Sequence, residues 1–230
     1  MDIVKKHGAS RGMDLKPRTV FVEGTSDVRY FALASCKYFQ FTHKDLLADL
    51  AIVAAGVGDK GGTQGVLNQL IVFRQLAEEL VDSRGDPIYR MIGLLDNDKA
   101  GQQAIKGARN FSLFEYRDLF RLRPFMPSSG GRDPRALEKS FEAGNQGFRG
   151  LDWEVEDLVG SALIHMFLEE YPTSLKSQEV IGDMVHREFG WDGKHALLKF
   201  CEEHADLDSL QNIVEILHSL RHYVGLPSMR

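Results

Sequence analysis

The sequence predicts an α/β domain in which helices flank a parallel β-sheet, with a helical extension at the C-terminus. Three apolar segments of strand length, each followed by a helical repeat of apolar residues, predict this fold. The segments are apolar throughout rather than alternating, which is typical of parallel strands covered on both faces. Ligands bind beyond the carboxyl ends of such strands, so the residues there are the first candidates for a functional site.

Composition and charge indicate an ordinary globular protein. Of its 230 residues, 43% are hydrophobic and 27% are charged, and the net charge is −5. This charge disfavours simple coating of duplex nucleic acid but is compatible with carboxylates that surround a cation. Cys36 and Cys201 lack metal-ligand spacing and fit a reducing, cytoplasmic location. No apolar run reaches the roughly 18 residues of a membrane span, and no membrane contact is expected.

Three strand–helix units are expected before residue 110. The polar residues 1–17 are expected to form a flexible N-terminal segment ahead of a domain over residues 18–160. Each of the predicted strands stops at a glycine or an acidic residue, after which an amphipathic helix begins. The predicted strands cover residues 19–23, 50–55 and 89–95.

The rest of the chain has a weaker pattern. Residues 120–125 alternate apolar and basic side chains and predict a half-exposed strand, whereas residues 127–150 predict mostly loop. The extension over residues 161–230 is expected to dock a partner or to form a homodimer. Trp153 and Trp191 are expected to fill a core. Helices are expected at about 156–170, 176–189, 193–204 and 208–222.

Acidic residues follow two of the predicted strands and recur in a third segment. The carboxyl ends of parallel strands share one edge of a sheet, so the first two groups are expected to lie together. Carboxylates this close raise each other's pKa unless a cation lies between them. Mg²⁺ or Mn²⁺ accepts such oxygen ligands and promotes phosphodiester cleavage. The candidate metal ligands are Glu23, Asp27, Asp96, Asp98, Glu154 and Glu156.

Two of these segments resemble motifs of the Toprim family. The segment from Phe21 to Asp27 is an apolar strand that ends in Glu-Gly, which is similar to the first Toprim motif. The segment from Leu94 to Gly101 resembles the second, an apolar strand that ends in Asp-x-Asp. A second acid four residues after the first, and the later Glu-Val-Glu-Asp segment, resemble the OLD-family nuclease branch. The resemblance covers about residues 18–160.

The resemblance implies a Toprim-like Rossmannoid fold and a divalent-metal-dependent endonuclease or nickase that acts on DNA or RNA. It implies that Glu23 is a metal ligand or a general acid/base. A stand-alone Toprim domain also resembles the PARIS-type effectors of phage defence, so control by a partner ATPase is expected. An RNA-directed, tRNA-cleaving nuclease and a non-catalytic Toprim interaction subunit are the alternatives.

Basic residues provide candidates for substrate binding. Lys99 directly follows the Asp pair and is a catalytic candidate, since a nuclease stabilises developing charge on the phosphate. Lys60 lies in the glycine-rich loop over residues 56–62, which fits either a phosphate cradle or a plain loop. Arg121 and Arg123 are candidates for contact with a phosphate backbone, and a site for an acidic partner or a solvated face fits equally well.

The acidic groups also have structural explanations. Glu23 fits the first turn of a helix, where the dipole favours an acid. Asp96 and Asp98 fit a turn with a helix cap, or the motif of a phosphoaspartate phosphatase. Glu154, Glu156 and Asp157 fit a solvated strand end and helix N-terminus, although strand alternation would place Glu154 and Glu156 on one face. The position of Asp157 at the entry of the helix also suits a cap.

Overall fold

The computed structural model describes residues 1–56 and 61–230. Helices and strands alternate through the first half of the chain, and helices dominate the second half. The helices are α1 (Ile3–Ser10), α2 (Thr25–Thr42), α3 (Gly62–Ala77), α4 (Lys99–Ala108), α5 (Pro134–Gly144), α6 (Ser161–Glu170), α7 (Trp191–His204) and α8 (Gln211–Tyr223). The strands are β1 (Arg18–Val22), β2 (Ala51–Ala54), β3 (Arg90–Leu95), β4 (Leu119–Arg121), β5 (Leu175–Ile181) and β6 (Met184–Phe189).

A parallel sheet with the order β2-β1-β3-β4 forms the centre of the protein. In register, Val20 of β1 lies opposite Ile52 of β2 and Ile92 of β3. Leu94 of β3 lies opposite Phe120 of β4. The predicted α/β fold is therefore confirmed, and three of the strands lie within about a residue of their predicted bounds.

Both faces of the sheet are buried, which explains why its strands are apolar throughout. Val20 and Ile92 point into one core, whereas Phe21 and Met91 point into the other. Gly93 allows α3 to approach the sheet closely, because a Cβ there would lie 2.5 Å from Val66 Cγ1.

The C-terminal helices complete the first of these cores. Leu197 of α7 and Ile213 of α8 belong to the same buried cluster as Val20 and Ile92. Arg221 of α8 is buried and forms an ion pair with Asp49 at 2.5 Å. Residues 161–230 thus cover one face of the sheet, and their buried side chains are not available to a partner.

The N-terminal residues contain α1, which the sequence does not predict. The Asp2 side chain caps this helix by accepting a hydrogen bond from the Lys5 N–H at 2.9 Å. The Tyr89 hydroxyl donates to the same carboxylate at 2.6 Å, and Val4 and Leu15 are buried in the second core. Tertiary contacts therefore order a segment that is expected to be flexible.

Two further segments differ from the prediction. Residues 134–144, expected to be loop, form α5, since Asp133 caps the helix and Pro134 begins it. Residues 176–189, expected to be helical, form the antiparallel hairpin of β5 and β6. Gly182 lies at the turn with a φ of 64°, a conformation that favours glycine.

Within the described residues, no helix is both long and apolar enough to cross a membrane.

Candidate active site

The carboxyl ends of β1 and β3 bring Glu23 and Asp96 together. The two strands are parallel neighbours, with Phe21 opposite Gly93, so the residues that follow them lie at one edge of the sheet. The Asp96 N–H donates a hydrogen bond to Glu23 Oε1 at 3.0 Å. The structure therefore places the first two acidic groups in contact.

Asp27 and Asp98 lie at the first turns of the helices that follow these strands. The Asp27 carboxylate accepts a hydrogen bond from the Gly24 N–H at 2.9 Å, and Asp98 accepts one from the Gly101 N–H at 2.7 Å. Both acids therefore act as local caps. Gly101 has a steric reason to be glycine, since a Cβ there would lie 2.1 Å from the Asp96 carbonyl oxygen.

The third acidic segment is a short 3₁₀ helix, Val155–Leu158, rather than a strand. Strand alternation is therefore not what relates Glu154 to Glu156. Asp157 is the structural acid of this segment. Its carboxylate accepts hydrogen bonds from the N–H groups of Glu154 at 2.9 Å and Arg187 at 2.8 Å. His186 Nδ1 lies 2.7 Å from the same carboxylate and fastens the hairpin to the segment.

Asn97, which lies between the two aspartates, joins the second acidic segment to the third. Its backbone exchanges two hydrogen bonds with Trp153, of 2.9 and 3.3 Å. Its side chain donates to the Leu151 carbonyl at 2.8 Å and accepts from Arg121 Nη1 at 2.9 Å. We call Asn97, Arg121, Leu151 and Trp153 the asparagine latch. This latch fixes the position of Glu154 relative to the sheet edge.

Lys194, at the first turn of α7, is the cation that contacts the acids. Its Nζ lies 2.5 Å from Glu154 Oε2 and 3.8 Å from Glu156 Oε2. Burial alone would lower the pKa of this lysine, but the carboxylates of Glu156 and Glu154 outweigh burial and raise it. The sequence reasoning missed Lys194 because it lies far from the acidic motifs along the chain. Only the contact of α7 with the third segment identifies it.

Glu156 is buried and the other candidate acids are partly buried, and this burial is the largest cause of the raised pKa values among them. The pKa of Glu23 rises to about 7, and repulsion from Asp27 adds to burial. The pKa of Asp27 rises to about 6, and that of Glu156 to about 7 although Lys194 lowers it. Burial and the neighbouring carboxylates raise the pKa of Asp96 well above its ordinary value. Because these carboxylates are partly shielded from water, ionising them in the folded protein costs free energy.

A divalent cation fits the chemistry of this cluster. Carboxylate oxygens are the ligands that Mg²⁺ and Mn²⁺ prefer. The hydrogen bonds to Glu23 and Asp98 each use one carboxylate oxygen, so the second can still bind a metal ion. Among residues 1–56 and 61–230, however, no three acidic, histidine or cysteine side chains already surround one point. A metal ion held by these acids would need some of their side chains to move, and Lys194 would compete with it for Glu154 and Glu156.

The remaining predicted residues lie apart from the acids or form other contacts. Lys99 is exposed at the first turn of α4, and Lys60 lies outside the described residues. Arg121 pairs with Glu115 at 2.7 Å, and Arg123 lies 2.9 Å from a carboxylate oxygen of α5. The side chains of Arg121 and Arg123 are only 15% and 13% exposed, and each already forms an intramolecular ion pair. Neither guanidinium is therefore free to bind a phosphate.

Comparison of the chain with protein-family models, with curated proteins and with solved structures gives no match. The functional assignment therefore depends on the site itself.

Proposed function

We propose that this chain is a divalent-metal-dependent endonuclease or nickase of the Toprim type that cleaves phosphodiester bonds in nucleic acid. The supporting observation is the cluster of partly buried carboxylates with raised pKa values at the carboxyl edge of the sheet. Like charges gathered in such a cluster destabilise a fold unless they are protonated or a counter-charge is bound, and a cation is the simplest such partner. Perturbed acids of this kind are concentrated at functional sites.

The acidic side chains would act as ligands of the cation. Glu23 and Asp96 would hold the cation from the sheet edge, and Asp27, Asp98, Glu154 and Glu156 would complete its shell. When bound, Mg²⁺ or Mn²⁺ lowers the pKa of a water molecule and stabilises charge on phosphoryl oxygens. The asparagine latch holds the third segment beside the sheet edge, so Glu154 and Glu156 stay close to the other acids.

Lys194 is a better candidate than Lys99 for facing the substrate phosphate. Its ammonium group already lies among the carboxylates, 2.5 Å from Glu154, whereas Lys99 is exposed. A fixed cation beside a metal cluster stabilises the charge that develops on a phosphate during cleavage. An antiviral role under the control of a partner ATPase follows only from the resemblance and stays a prediction.

The proposal is tested by incubating purified protein with supercoiled plasmid and with total tRNA, in Mg²⁺, Mn²⁺ or EDTA. Glu23→Gln removes the charge but keeps an oxygen that can accept the hydrogen bond from the Asp96 N–H. Glu138→Gln is the matched control, because Glu138 is exposed on α5. We expect the wild type and Glu138→Gln to cleave one of the substrates with metal, and Glu23→Gln to be inactive.

The substrate that is cut decides between DNA and RNA. Cleavage that persists in EDTA, or equal activity of Glu23→Gln and the wild type, would contradict the proposal. A wild type that cuts neither substrate with either metal would favour the non-catalytic interaction subunit.

A further inference from the structure

The two tryptophans of the chain have opposite environments. Trp153 is 4% exposed and packs in the core, as expected. Trp191, also expected in a core, is 73% exposed at the start of α7, so that prediction is wrong. His195 packs on the Trp191 indole with ring centroids 4.1 Å apart. Its Nδ1 lies 3.0 Å from the Trp191 carbonyl oxygen, which holds the imidazole in place.

This exposed ring is on the same helix as the lysine that contacts the acidic cluster. Trp191 and Lys194 are three residues apart on α7, so their side chains are neighbours on one helix face. Lys194 reaches Glu154 directly. A second cation, the exposed Lys176, lies along Gly190, with its Nζ 4.0 Å from the position of a Cβ on that glycine. Two lysines thus lie near the backbone that carries this exposed ring, Lys194 one helical turn along α7 and Lys176 beside Gly190.

We propose that Trp191, backed by His195, is a stacking subsite for an unpaired nucleobase next to the phosphodiester that is cleaved. The inference rests on the proposed nuclease function and specifies its substrate class. Bases stack on exposed aromatic rings, while nearby cations bind the phosphate backbone. A paired base is stacked within its duplex and offers no free face. The subsite therefore selects single-stranded DNA or RNA, or an unpaired loop.

Binding without metal tests the subsite separately from cleavage. In EDTA, fluorescently labelled oligothymidylate, oligouridylate and a blunt duplex are titrated with wild type, Trp191→Ala, Trp191→Phe and Phe41→Ala. Phe41 is a matched control, since it is 70% exposed near the end of α2. Loss of one base stack is expected to weaken single-strand binding roughly 5- to 100-fold in Trp191→Ala. Trp191→Phe should lose less affinity, and Phe41→Ala none.

Tryptophan fluorescence gives a second readout. Trp153 is shielded, so we expect a bound single strand to quench mainly the Trp191 emission, and the quench to disappear in Trp191→Phe. The subsite is refuted if Trp191→Ala binds single strands like the wild type, if duplex binding falls equally, or if the wild type binds no single strand.

The nuclease proposal and the subsite proposal can each be refuted without the other. If metal-dependent cleavage is lost in Glu23→Gln but single-strand affinity is unchanged in Trp191→Ala, the nuclease stands and the subsite does not. If Trp191 is needed for binding but no cleavage depends on Glu23, the subsite stands and the nuclease does not.

Discussion

Replacing Glu23 with glutamine should stabilise the metal-free protein above pH 7. Glu23 is a partly buried carboxylate whose pKa is about 7 in the folded protein, against an ordinary value of 4.5. Burial is the largest cause of the rise, and the carboxylates of Asp27, Asp98 and Glu154 contribute to it. The hydrogen bond from the Asp96 N–H opposes the rise, and glutamine can still accept it.

The magnitude follows from the two pKa values of Glu23. Each pH unit between the folded and unfolded pKa corresponds to about 1.4 kcal/mol. Ionisation of Glu23 above pH 7 therefore costs the folded state roughly 3 kcal/mol. Neighbouring acids titrate together with Glu23, which spreads the charge over the cluster and reduces this cost. We therefore expect Glu23→Gln to gain about 1–3 kcal/mol in the free energy of unfolding.

The gain must depend on pH in a defined direction. Between about 4.5 and 7, the folded state keeps the Glu23 proton that the unfolded chain has already released. The wild type therefore loses stability as the pH rises through this range. Glutamine does not ionise, so its advantage is absent below pH 4.5 and complete above pH 7.

Thermal unfolding in EDTA at both ends of this range measures the effect. For a chain of this length, 1 kcal/mol corresponds to roughly 2–4 °C in melting temperature. Saturating Mg²⁺ should raise the melting temperature of the wild type but not of Glu23→Gln, because only the intact site binds the ion. Equal stability of variant and wild type above pH 7, or a gain that Glu138→Gln also shows, would refute the reasoning.

Other substitutions test the rest of the site. Lys194→Met leaves the carboxylates of the third segment without their cation and should cost about 2–3 kcal/mol above pH 7, and less at lower pH, where Glu156 is protonated. Asn97→Ala removes one buried and one partly buried side-chain hydrogen bond of the latch, and we expect a loss of about 2 kcal/mol together with reduced cleavage. The hydrogen bond to Asp157 raises the pKa of His186. The contribution of the charged His186 to the free energy of unfolding is therefore complete below the ordinary histidine pKa of 6.5 and disappears as the pH rises through the raised pKa. His186→Gln should destabilise the protein most in acid.

Urea unfolding across pH measures all three variants. A Lys194→Met cost that does not change with pH would exclude the electrostatic explanation. Asn97→Ala with wild-type stability would mean that the latch contributes nothing. A His186→Gln effect that grows with pH would contradict the assigned direction.

The sequence by itself determined the fold class and much of the candidate site. Continuous apolar strands followed by helical repeats can bury both of their faces only in a covered parallel sheet. The carboxyl ends of such strands meet at one edge, so the positions of Glu23 and Asp96 followed from local pattern alone. Asp157 was also recognisable as a cap from its place at the start of a helical turn.

Only the tertiary structure decided which cations and aromatic rings accompany those acids. Lys194 reaches Glu154 because α7 packs beside the third segment, and no local pattern records a contact between residues 40 positions apart. Arg121 and Arg123 resembled free phosphate ligands, but the folded chain pairs Arg121 with Glu115 and Arg123 with Glu142. Trp191 resembled a core residue because large aromatic side chains are usually buried. Its exposure became clear only from the position of the start of α7 in the fold. The sequence determines which chemical groups the chain carries, whereas their burial and their partners depend on how the chain packs.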